Sequence, residues 1–79
     1  MTLPAELSWD MGAGYVRTVA GTVHDVSTSG IGLLAPMPFS IGAKLQITTD
    51  KQTRSAILMR CSRQGAKYFL GFRFERVSS

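Results

Sequence analysis

Asp25-Val26-Ser27-Thr28-Ser29-Gly30 places a carboxylate, hydroxyls and a glycine side by side. An ionised carboxylate only accepts hydrogen bonds. It can take two parallel N–H donors, such as the ring N–H and exocyclic amine on the edge of a guanine. In an extended chain Asp25 and Ser27 point to the same side, where the Ser27 hydroxyl can donate or accept beside the carboxylate. Gly30 lets the backbone turn sharply and lets a ligand approach closely. The same residues also make a good turn, with Asp25 accepting from backbone N–H groups two residues on. The residues by themselves leave both readings open.

Other chemistry is thinly represented. The chain has one His, His24, and one Cys, Cys61, so nothing clusters with zinc-ligand spacing. His24 reads as a strand residue and Cys61 as a small core side chain. Ser27, His24 and Asp25 would make a nucleophile set on paper, yet closeness in sequence does not give triad geometry, and there is no nucleophile elbow. Gly12-Ala13-Gly14 and Gly30-Ile31-Gly32 are G-x-G fragments, better explained as turns than as phosphate loops. The acidic residues sit far apart, which argues against paired-carboxylate catalysis. The expectation is a binding domain that is not an enzyme and carries no cofactor or metal.

Size and charge narrow the class. With 79 residues there is room for one domain, residues 1–79, with one core. The net charge of +4 favours anionic partners. A single Cys cannot form an internal disulfide. The longest apolar run, Ala56-Ile57-Leu58-Met59, falls far short of the roughly 20 residues a membrane-spanning helix needs. Met1 to Glu6 lacks the basic start and apolar core of a signal peptide, so the expected location is the cytoplasm. Lys67-Tyr68-Phe69-Leu70-Gly71-Phe72-Arg73-Phe74 mixes bases with aromatics, but its alternation fits core packing, and it lacks the glycine spacing of an RNA-binding strand. No DNA or RNA partner is expected.

The elements that must position Asp25 and Ser27 are strands. Leu3, Ala5, Leu7 and Trp9 alternate with other residues, and residues 10–14 read as a turn in which Asp10 caps local N–H groups. Residues 15–26 are rich in Val and Thr, with Val19, Gly21 and Val23 on one face. Ile31 to Leu34 is a short apolar strand, ended by Pro36 and Pro38. Residues 43–48 follow, with Leu45 and Ile47 sharing a face, then a polar hairpin loop at Asp50-Lys51-Gln52. Residues 54–62 put Ile57, Met59 and Cys61 on one side. After a turn at 63–66, residues 67–75 put Tyr68, Leu70, Phe72 and Phe74 on one face. Six short strands at this spacing predict an all-β sandwich or barrel.

The segment from Gly21 to Leu34 resembles the PilZ domain. That family carries [D/N]-x-S-x-x-G after its second core strand, followed by a strand of small and apolar residues. Leu70-Gly71-Phe72-Arg73-Phe74 is similar to the family's closing strand, and Gly42 matches a glycine ahead of its fourth. The resemblance implies a small six-stranded antiparallel β-barrel, here without the family's C-terminal helix. It also implies a ligand, the bacterial second messenger cyclic di-GMP, with Asp25, Ser27 and Gly30 contacting one guanine and its ribose-phosphate. Members that bind the nucleotide also carry R-x-x-x-R ahead of the first strand. Here Met1 and Thr2 precede Leu3, and no arginine pair has that spacing; Arg63 and Lys67 come nearest. The expectation is therefore weak binding, or binding completed by residues outside this chain. The alternative is a PilZ-like module that docks a protein partner. Met37, Phe39 and Ile41 are candidates for that patch, or for a loop that plugs the barrel.

Overall fold

The computed structural model describes residues 3–50 and 52–75. Six antiparallel strands appear: β1 (Leu3–Gly12), β2 (Tyr15–Val26), β3 (Gly30–Ala35), β4 (Lys44–Thr49), β5 (Gln52–Gln64) and β6 (Lys67–Phe74). They close into a barrel in the order β1-β2-β3-β6-β5-β4. The chain thus makes two meanders, β1-β2-β3 and β4-β5-β6, joined by two seams. β3 pairs with β6 from Gly30↔Arg73 to Ala35↔Tyr68, and β1 pairs with β4 from Ala5↔Thr49 to Ser8↔Gln46. The alternation predicts an all-β sandwich or barrel and the family resemblance a six-stranded barrel; the barrel is the observed fold, with no helix among the described residues. The expected absence of a C-terminal helix concerns residues 76–79, outside the described residues, as do Met1, Thr2 and the Lys51 of the expected hairpin loop.

The turns follow glycine chemistry. Ala13 and Gly14 sit at φ of 54° and 81°, the double left-handed pair that matches the twist of a two-residue hairpin. The Gly12 N–H donates to Asp10 Oδ1 at 2.7 Å, which is the expected Asp cap. β1 pairs with β4 only over residues 5–8, and β2 with β3 only over 22–26. The rest of the β1–β2 hairpin therefore projects as a two-stranded arm. Met11, Tyr15 and Val16 are exposed on it.

Leu7, Leu33, Leu45, Leu58 and Leu70 are fully buried, one from each strand except β2. Burying each such side chain stabilises by about 1.5–3 kcal/mol. Phe39, in the β3–β4 loop, packs against this core and meets Trp9 edge to face at 4.9 Å. Met37 and Ile41 stay exposed. Of the two expectations for that loop, the plug describes Phe39, and only its neighbours remain on the surface.

Two β-bulges change which residues face out. Between β2 and β3, Val23 pairs with Leu33 and Asp25 with Gly32, so His24 is the extra residue. Between β5 and β6, Leu58 pairs with Phe72 and Arg60 with Gly71, so Met59 is the extra residue. A bulge shifts the two-residue period by one. The expected face of Ile57, Met59 and Cys61 is corrected by this: Ala56 and Leu58 point inward, Met59 is 52% exposed, and Cys61 turns back to pack against the core beyond the bulge.

Candidate functional site

The bulge at His24 aims Asp25. Val23 faces inward opposite buried Leu33, so an unbroken alternation would carry Asp25 to the same side. The extra residue turns its carboxylate to the outer surface, where its side chain is 70% exposed. Asp25 there lies opposite Gly32. A Cβ on Gly32 would stand 2.5 Å from Asp25 Oδ1 and 2.9 Å from Phe69 Cζ. Gly32 is therefore a floor that the carboxylate and the Phe69 ring both reach across. His24 Nδ1 lies 3.7 Å from Asp25 Oδ2, and its ring meets Phe69 edge to face at 5.3 Å.

Ser27 performs the turn that the sequence offered to Asp25. Its Oγ accepts the N–H of Ser29 at 3.3 Å and of Gly30 at 3.2 Å, while its own N–H donates to the Gly30 carbonyl at 2.9 Å. No backbone N–H donates to Asp25 among the described residues, so its acceptor capacity faces solvent. Ser27 has no bond to His24, and the paper nucleophile set is not assembled. Gly30 serves a different need from a sharp turn: its φ is not in the left-handed region, but a Cβ there would collide with the Phe72 carbonyl oxygen across the β3–β6 seam.

These residues share an outward concavity of about 450 Å³ with Gly32, Arg60 and Phe69. Register explains the membership. Asp25 pairs with Gly32, Gly32 with Gly71, and Gly71 with Arg60, giving one lateral row across β2, β3, β6 and β5. At roughly 4.8 Å per strand, the row is roughly 14 Å long. Its two middle members lack side chains, and the Phe69 ring edges along both. The row offers an acceptor at one end, a guanidinium at the other, and glycine backbone crossed by the Phe69 ring between. Arg60 and Phe69 were not singled out by sequence reasoning, and Gly30-Ile31-Gly32, read there as a turn, instead opens strand β3. Phe69 left a trace: it is an apolar residue on the polar face of the final strand.

Of the other described cations, Arg73 stands nearest, paired with Gly30 across the β3–β6 seam. Arg17 pairs with Trp9 in the arm, on the order of 25 Å along β2 from Asp25. The Arg54 guanidinium covers the Phe74 ring at 3.8 Å, Arg63 Nε donates to the Gly65 carbonyl at 3.1 Å, and Lys44 bridges Glu75 at 3.3 Å. No group of three metal-ligating side chains occurs among the described residues.

The sequence matches the family model described as PilZ domain over residues 3–79, nearly its whole length. This chain belongs to the PilZ family. No curated protein matches the chain. The PilZ family is a cyclic di-GMP receptor family and a binding rather than a catalytic one. The D-x-S-x-x-G residues of this PilZ domain straddle the end of β2 and the start of β3.

Proposed function

We propose that this PilZ domain binds cyclic di-GMP in bacterial second-messenger signalling, with Asp25 accepting the guanine edge and Ser27 and Gly30 shaping the loop beside it. The observation that carries the reading is the Asp25 carboxylate, turned outward by a bulge and unbonded to backbone, over a side-chain-free Gly32. A guanine presents two parallel N–H donors to such an acceptor. The concavity of about 450 Å³ beside it, with Phe69 in its lining, has room for a flat base. On this reading the domain works in the cytoplasm; no helix among the described residues is long and apolar enough to cross a membrane. Without an R-x-x-x-R pair the binding is weak or draws on residues beyond this chain. Two charge-assisted contacts at about 1.5–3 kcal/mol each correspond to roughly two to four decades of affinity.

Isothermal titration of the chain with cyclic di-GMP, beside Asp25→Ala, tests this. Saturable heat that the substitution abolishes is the expected result. A flat titration at high ligand concentration, with circular dichroism unchanged, would remove the reading in which these residues bind the nucleotide by themselves. It would leave the second one, a protein-docking module, for which the arm carrying exposed Met11, Tyr15 and Val16 is the supporting observation.

A further inference from the structure

Arg60 owes its outward direction to the same device as Asp25. Leu58 is fully buried, so unbroken alternation would turn Arg60 into the core. The extra residue Met59 turns it out instead, opposite Gly71. Two separate bulges, on strands from the two different meanders, thus aim the two ends of one row at the same concavity. Bulges recur beside binding sites because they re-aim a side chain without disturbing the core. The Arg60 guanidinium has no acceptor, acidic or aromatic partner among the described residues, whereas Arg54 covers the Phe74 ring, Arg63 donates to the Gly65 carbonyl and Lys44 meets Glu75.

The row also has a chemical direction. A carboxylate takes the donor edge of a base, and a guanidinium takes phosphate, gripping it with two parallel N–H bonds. In the stretch between them Gly32 and Gly71 contribute no side chain of their own, and the Phe69 ring lies across both as an apolar surface for a sugar or base. A Cβ on Gly71 would sit 3.4 Å from Arg60 Cβ, so the Arg60 stem lies against the glycine floor.

We propose that Arg60 is a phosphate-binding residue of this site, which makes the concavity selective for a phosphorylated guanine compound over the bare nucleoside. This rests on the reading that Asp25 receives guanine. Arg60 then supplies the site's cationic contact from β5.

The test is titration of the 79-residue chain by ¹⁵N chemical-shift mapping, which reads weak binding, with cyclic di-GMP, 5′-GMP and guanosine. The variants are Asp25→Ala, Arg60→Gln and Arg60→Lys, each checked by circular dichroism. The expected result is a loss of about 10- to 100-fold for both phosphorylated ligands in Arg60→Gln, with guanosine unaffected and Arg60→Lys intermediate. Wild-type binding that needs Asp25 but is the same in Arg60→Gln would overturn the Arg60 role and leave the guanine reading standing. An equal loss for guanosine and nucleotides would also overturn it, since Arg60 would then act on the base or the fold. If no ligand moves any wild-type signal, the guanine reading fails and the Arg60 role falls with it.

Discussion

Asp25 Oδ1 occupies the space that a side chain on Gly32 would need, 2.5 Å from the missing Cβ. The carboxylate and the glycine are paired residues of adjacent strands, so the acceptor is held over bare backbone. Gly32→Ala should therefore displace Asp25 and the Phe69 ring, both flexible ends, and leave the strands in place. Gly30→Ala is the opposite case, because its clash is with the rigid Phe72 carbonyl. We expect Gly32→Ala to weaken nucleotide binding at least about tenfold while changing stability by less than about 1 kcal/mol. Gly30→Ala should cost about 1–3 kcal/mol. Urea unfolding and ligand titration of the two variants check this; equal stability losses would show that Gly32 serves only packing.

The bulge at Met59 separates two neighbours that the sequence alone would rank the other way. Leu58 is fully buried and Met59 is 52% exposed. Leu58→Ala should lose about 2–5 kcal/mol through the cavity it leaves, and Met59→Ser should stay within about 0.5 kcal/mol. In a domain of this size each kcal/mol moves Tm by about 4–8 °C. Thermal melts that rank the two variants in reverse would refute the register between β5 and β6.

Phe39 packs on the core and on the single tryptophan, Trp9. Phe39→Ala should uncover Trp9 and redshift its fluorescence, with a loss of about 3 kcal/mol or somewhat less for a half-buried ring. Met37→Ser should leave both the spectrum and the stability unchanged. An unaltered spectrum in Phe39→Ala would mean that the ring is free to dock elsewhere.

The strands were legible because alternation of apolar residues is a local signal, and Leu45/Ile47 and Leu70/Phe72 obey it. The Asp10 cap and the glycine turn at 12–14 were legible for the same reason. Bulges were not. Inserting His24 or Met59 changes facing by one residue without changing residue types, so Ile57, Met59 and Cys61 look like one face when they are not. Asp25, Ser27 and Gly30 could be found as one contiguous segment. Gly32, Phe69, Gly71 and Arg60 could not, because cross-strand register brings them together and register is a property of three pairings at once.

The β3–β6 seam runs beneath the middle of the site. Asp25 and Gly32 come from the first meander, Gly71 and Arg60 from the second. Neither meander contains the site, and it comes into being only when strands far apart in sequence meet, as in Gly30↔Arg73. Long-range pairings of this kind form slowly, because loop-closure entropy is lost before the contacts are made. A ligand lying along the row would bridge the two halves after those pairings form. It would slow their separation and leave their encounter rate unchanged, so its stabilisation would appear in the unfolding limb of the kinetics.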